Sequence, residues 1–115
     1  MPQTNIEKFK KERESLNEIV LRYGGRNIKR FFTIDTQVYQ EGAIPKKYKE
    51  LLGLVSSLVL RCDDCIKYHI IQCKGEGVND NELEEALAIG LVVGGSITIP
   101  HLRRALQAWD ELKQG

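Results

Sequence analysis

Leu51-Leu52-Gly53-Leu54-Val55-Ser56-Ser57-Leu58-Val59-Leu60-Arg61-Cys62-Asp63-Asp64-Cys65-Ile66-Lys67-Tyr68-His69 is the stretch where two helices meet. Its first part is apolar nearly all round, which predicts a helix buried at the centre of the fold. Pro45 suits the first position of that helix, and Tyr48 adds to its apolar set. Past Arg61, Asp63 and Asp64 complement the dipole at the start of the next helix. Ile66, Ile70, Ile71 and Cys73 are its apolar positions, and Gly75 and Gly77 stop it.

The chain reads as helices on both sides of this junction. Thr4 with Glu7 forms a capping box, followed by Ile6, Phe9, Leu16, Ile19, Val20 and Tyr23 at mostly helical spacing. Gly24-Gly25 ends that segment, and a second one runs over residues 27–42 with Ile28, Phe31, Phe32, Val38 and Tyr39 on its apolar side. Downstream, Asn79 with Glu82 signals a fifth helix that ends at Gly94-Gly95. Pro100 opens a sixth with Leu102, Ala105, Leu106, Trp109 and Leu112 on one face. The run Ser96-Ile97-Thr98-Ile99 reads as a loop. Nothing alternates with a clear strand period, so the class is all-α: one domain over residues 1–115, a bundle of five to six helices.

Composition narrows the function. The 115 residues are 42% hydrophobic, enough for a core, with 17 basic and 16 acidic residues and a net charge of +1. No basic stripe interleaved with aromatics stands out, so nucleic acid is not an expected partner. The longest apolar stretch, residues 86–99, holds 14 residues and falls short of the roughly 20 that span a bilayer, so no membrane partner is expected. Residues 1–13 are mostly polar, without a signal peptide, and three cysteines do not make a disulfide scaffold. A reducing, cytoplasmic setting is expected, where C-x-x-C means catalysis or metal.

Cys62, Cys65 and His69 form a C-x-x-C-x-x-x-H pattern. Two thiols three apart can close a disulfide across one helical turn, and the imidazole sits one turn further along the same face. A helix N-terminus raises the thiolate fraction, and a His one turn on can take or return the proton. Asp63 and Asp64 oppose this, because carboxylates beside the thiols disfavour thiolate. A zinc site made from Cys62, Cys65, His69 and Cys73 is a competing reading. On a continuous helix Cys65 and Cys73 are separated by roughly 12 Å of rise, whereas zinc would need their sulfurs within ~4 Å. No metal and no cofactor are therefore expected, and Cys73 reads as a small core residue. Glu50 is an acid in an otherwise apolar helix; it is either a buried carboxylate with a partner or a solvated first-turn residue. His101 reads as a capping or surface residue, Arg103 and Arg104 as a solvated face or subunit contacts, and Trp109 and Tyr68 as core or interface.

With Glu50 included, the pattern is E-x11-C-x-x-C-x-x-x-H. In these residues, and in Lys49-Glu50-Leu51-Leu52-Gly53-Leu54-Val55 and Leu60-Arg61-Cys62 around them, the chain resembles the carboxymuconolactone decarboxylase superfamily. The likeness is specifically to its AhpD-like alkylhydroperoxidase branch, and it covers residues 28–112. The resemblance implies an all-helical homo-oligomer, trimer or hexamer, with a thiol peroxidase or disulfide reductase site. It implies that Cys65 is the reactive thiol, His69 its proton acceptor, Glu50 the group that orients or relays to His69, and Cys62 the partner that closes the disulfide. The substrate would be a hydroperoxide and the reductant a lipoyl- or thioredoxin-like dithiol. Some peroxidases of this type carry His immediately before the second cysteine. Asp64 stands there in this chain, so the relay is expected to be shorter. Thiol–disulfide exchange without a peroxide substrate is the alternative, and a non-enzymatic helical oligomer or metal-binding module the third reading. The decarboxylase branch lacks the cysteine pair, so lactone decarboxylation is not expected.

Overall fold

Thr4 opens the first helix in the computed structural model, which describes residues 4–115. Its hydroxyl accepts the Glu7 N–H at 3.1 Å while the Glu7 carboxylate accepts the Thr4 N–H at 3.1 Å, the expected capping box. Six α-helices follow: α1 (Asn5–Tyr23), α2 (Arg26–Val38), α3 (Lys46–Leu60), α4 (Asp63–Gly75), α5 (Asp80–Gly94) and α6 (Ile99–Gln114). There is no strand among the described residues, so the all-α class holds. The chain falls into two compact units, Met1–Gln40 and Glu41–Gly115, and the first of these holds α1 and α2. The second helix is shorter than expected, ending at Val38. Residues of its apolar side, among them Ile28, Phe31 and Val38, stay exposed.

The second unit carries the candidate chemistry. In it α3 packs on α4 and α5, and α4 packs on α6. Leu54 and Leu58 from α3, Ile66, Ile70 and Cys73 from α4, Leu83 and Leu87 from α5, and Ala105 and Trp109 from α6 are buried. Only one face of α3 is buried: Leu52 and Leu60 are exposed, contrary to the expectation of a helix enclosed on every side. The 3.6-residue turn lets α4 and α5 cover one side, and the Leu-rich opposite side stays open within the chain. Gly90 brings α5 against α3, since a Cβ there would lie 2.7 Å from Leu58 Cδ2. Trp109 is buried as expected, and its indole N–H donates to Asp80 at 2.8 Å, tying α6 to the first turn of α5.

The boundaries carry three corrections. Pro45 is the N-cap of α3 rather than its first helical residue; its ψ of 148° is extended, and Lys46 is the first helical residue. The sixth helix starts at Ile99, one residue before Pro100, because a proline in the first turn needs no N–H of its own. Ser96–Thr98 is a 3₁₀ turn leading directly into α6 instead of an open loop. Asn79 and Glu82 form the anticipated reciprocal cap on α5. α4 ends where expected: Gly77 takes φ 81°, and Val78 N–H reaches back to Cys73 O at 3.0 Å.

Candidate functional site

The α3–α4 junction sets the site. Arg61 adopts φ 59° and ψ 40°, left-handed backbone that most side chains avoid. Its N–H bonds Leu58 O at 3.0 Å and the Cys62 N–H bonds Ser57 O at 3.1 Å, a Schellman closure with Arg where glycine is usual. The chain reverses within two residues, so Cys62 becomes the N-cap of α4. Its Sγ accepts the Cys65 N–H at 3.3 Å. Negative charge on Cys62 is thus favoured by both a backbone donor and the positive end of α4. Cys62 and Cys65 are joined as a disulfide with Cα atoms 5.3 Å apart. Cys62 is half-buried and Cys65 exposed.

One turn further, His69 is buried between α4 and α3. Its Nδ1 lies 2.9 Å from Glu50 Oε1. An ionised carboxylate only accepts, so Nδ1–H donates and the basic lone pair of the neutral ring is on Nε2. Glu50 is 1% exposed, and its second oxygen accepts from Lys46 Nζ at 2.7 Å. Burial pushes this carboxyl up. The hydrogen bonds from His69 and Lys46, with their charges, outweigh that and hold it below the usual carboxylate range. The bond to Glu50 in turn raises Lys46 above the ordinary lysine value. Of the two readings of Glu50, the buried and partnered one is found.

This pairing has a pH signature. A carboxyl lowered on folding contributes its full stability above its unfolded value, about 4.3, and loses it as pH falls through the lower folded value. Glu50→Gln should therefore be less stable than the parent near neutrality by about 2 kcal/mol. Urea melts at a series of pH values should show that gap closing on acidification; a gap independent of pH would contradict the pairing.

Gly53, to which sequence reasoning gave no role, fixes the imidazole. A Cβ built there would sit 2.6, 2.8 and 2.9 Å from His69 Cε1, Nε2 and Nδ1. The ring is packed flush against α3 where the helix has no side chain. The available signal was a glycine inside a helix where alanine is intrinsically better. Lys46 was also missed, although its spacing of four from Glu50 is legible. A third omission is a cluster on α6. The His101 Nδ1–H donates to Asp63 Oδ1 at 2.8 Å, and Arg104 Nε–H to Oδ2 at 3.0 Å. His101 is thus not simply a cap or surface residue; where α4 packs on α6, Asp63 offers both carboxylate oxygens to α6.

Cys73 behaves as the expected core residue. It is fully buried, and burial, with the charges of Glu50 and Glu76, pushes its thiol up to about 12. Among the described residues no group of three or more His, Cys, Asp or Glu side chains is placed to hold a metal ion. In the reduced native protein, iodoacetamide at about pH 8 should label Cys62 and Cys65 and leave Cys73 unlabelled until denaturant is added. Native labelling of Cys73 in a peptide map would contradict this placement.

A cleft of about 560 Å³ between α5 and α6 is lined by Leu83, Leu87, Leu91, Leu106 and Trp109 among others, and by none of Glu50, Cys62, Cys65 or His69. The reactive groups therefore lie outside that cleft. No helix among the described residues is long and apolar enough to cross a membrane.

Comparison with known proteins places this arrangement. The family model for the carboxymuconolactone decarboxylase family matches residues 27–108, which include all four candidate residues. The chain belongs to the carboxymuconolactone decarboxylase family. Within that family, it is similar to a Thermotoga maritima protein seen in two crystal structures. One is 57% identical with a TM-score of 0.91, covering 93% of this chain and 94% of that one. The other is 56% identical with a TM-score of 0.89, covering 93% and 91%; it is described as a carboxymuconolactone decarboxylase family protein with a suggested part in antioxidative response. A Legionella pneumophila family protein, 21% identical with a TM-score of 0.86 over 95% of this chain and 97% of its own, shares the fold. An uncharacterized protein of Cupriavidus necator is 32% identical over 73 residues, a match spanning 64% of this chain and 65% of that protein.

Proposed function

We propose that the protein is a thiol-dependent peroxidase of the AhpD-like alkylhydroperoxidase kind. The observation that carries this reading is the buried Glu50–His69 pair, 2.9 Å apart, on the helical face one turn beyond a solvent-exposed Cys65 that pairs with Cys62. The antioxidative suggestion attached to the Thermotoga protein agrees with it.

In this reading the roles divide by environment. Cys65 passes its proton to His69 Nε2, and the thiolate attacks the hydroperoxide. The O–O bond breaks, an S–O bond forms, and the alkoxide leaves as an alcohol with the proton from His69. Cys62, whose charge the helix N-terminus supports, then attacks the Cys65 sulfenic acid; the S–S bond forms and water departs. Glu50 stays ionised, orients the ring through Nδ1 and stabilises the imidazolium that forms. A lipoyl- or thioredoxin-like dithiol would attack the exposed Cys65 sulfur and expel the Cys62 thiolate, the better-stabilised leaving group. A second exchange releases the oxidised reductant and restores both thiols.

The enzyme in this reading is cytoplasmic and a homo-oligomer, trimer or hexamer. Exposed apolar side chains such as Phe31, Leu60, Val92 and Val93 support burial against further copies. Asp64, where some related peroxidases carry histidine, supports the alternative of plain thiol–disulfide exchange. Steady-state assays with a dithiol reductant separate the two readings. Turnover of an organic hydroperoxide is expected; fast reduction of a model disulfide with no hydroperoxide consumption would select the alternative.

A further inference from the structure

Asp63 poses a problem for the chemistry above. It follows Cys62 directly, and a carboxylate beside a thiol opposes its ionisation. α6 answers with two donors. His101 Nδ1–H binds one carboxylate oxygen at 2.8 Å and Arg104 Nε–H the other at 3.0 Å. Arg104 Nη2 also lies 3.2 Å from His101 Nδ1, but both groups are donors, so the three side chains are held together through the two oxygens of Asp63. It is only partly open to solvent: the side chains of His101 and Asp63 are 19% and 35% exposed. Screening is therefore incomplete, and the Asp63 charge is held against a guanidinium that stays charged at every relevant pH.

We propose that His101 and Arg104 are positioning residues that neutralise Asp63 and draw it toward α6, so that the N-capping sulfur of Cys62 can carry negative charge. The cluster gives this chain a device beside Cys62 that is separate from the Glu50–His69 pair beside Cys65. Burial pushes the Asp63 carboxyl up, but the two hydrogen bonds and the Arg104 and His101 charges prevail and hold it below the usual range, in keeping with a fully paired carboxylate. The other charged groups of the turn are Arg61 before it and Asp64 and Lys67 on α4; the Lys46–Glu50–His69 group lies between α3 and α4. The two Asp63 oxygens accept from His101 and Arg104 on α6.

The proposal rests on the redox reading only in giving the Cys62 thiolate a use; the thiolate itself is measurable without any peroxide. The test uses the full chain carrying Cys65→Ser, in which Cys62 is the one accessible thiol and Cys73 is buried. The rate of iodoacetamide modification at Cys62, read by mass spectrometry across pH, gives its pKa. Arg104→Gln should raise that pKa by about half to one unit, and Asp63→Asn should lower it by a similar amount. The double variant should return close to the parent, and Arg104→Lys, which keeps the charge, should stay near it. Thermal melts of the same variants check folding; Arg104 is exposed enough that its loss should leave the bundle intact. A Cys62 pKa unmoved by Arg104→Gln, or moved in the same direction by Arg104→Gln and Asp63→Asn, would overturn the proposal. Opposite shifts in a protein that fails to consume hydroperoxide would uphold the cluster and sink the peroxidase reading instead.

Discussion

Cys65→Ser should abolish hydroperoxide consumption, lowering the second-order rate by at least about a thousand-fold, because no neighbouring group replaces a missing nucleophile. Cys62→Ser should behave differently. Its first turnover should survive, leaving Cys65 as a sulfenic acid that over-oxidises or is trapped by a sulfenic-acid reagent, while steady-state turnover stops for lack of a disulfide. The contrast follows from position: Cys65 is exposed with His69 one turn on, whereas Cys62 caps α4 and its sulfur accepts the Cys65 N–H. Stopped-flow traces of the two variants decide it. If Cys62→Ser loses the first turnover and Cys65→Ser keeps it, the roles are reversed.

Gly53→Ala should have a large effect for a single added methyl group, on stability and activity together. The added Cβ would fall within 2.9 Å of three imidazole atoms, and the obstacle is a buried ring with no flexible end to swing away. If the ring moves, Glu50 loses its Nδ1–H donor while remaining a buried carboxylate. Overpacking and the broken pair together should destabilise the protein by about 3 kcal/mol, despite the intrinsic helix preference for alanine. Activity should fall about a hundred-fold even where the variant is folded, since a displaced His69 is no longer oriented by Glu50 to take the Cys65 proton. Urea melts with a single-turnover assay read both effects. A variant of parental stability and rate would show that His69 does not need the gap at Gly53.

The residues that were legible from sequence are those whose meaning is local. Thr4 with Glu7 and Asn79 with Glu82 are short-range caps, and both helix starts lie where those pairs put them. The break between α3 and α4 was visible in the change from apolar run to Asp63-Asp64. Its sharpness was not, because Arg61 does in left-handed backbone what a glycine would have announced. Spacing brought Cys62, Cys65 and His69 to one face over the first two turns of α4, and the same helix rise separated Cys73. Glu50 stood out as an acid in an apolar helix, yet its two partners had to be seen: Lys46 lies on its own helix and His69 nineteen residues away.

What the sequence hid depends on contact between helices. Gly53 looks like any mid-helix glycine until α4 lays an imidazole on it. His101 and Arg104 lie thirty-eight and forty-one residues from Asp63, so no periodicity connects them. The full burial expected for α3 failed for a related reason. An apolar surface marks a face that must be covered, but not by what, and Leu52 and Leu60 remain open within the chain.

Thiol mapping shows directly whether Cys62 and Cys65 form a peroxide-driven couple. Fully reduced protein is mixed with one equivalent of an organic hydroperoxide, quenched with an alkylating reagent and mapped by mass spectrometry. A Cys62–Cys65 disulfide is expected to form at the expense of the hydroperoxide, with Cys73 still a free thiol. Recovery of Cys62 and Cys65 fully alkylated, with the hydroperoxide unconsumed, would contradict it.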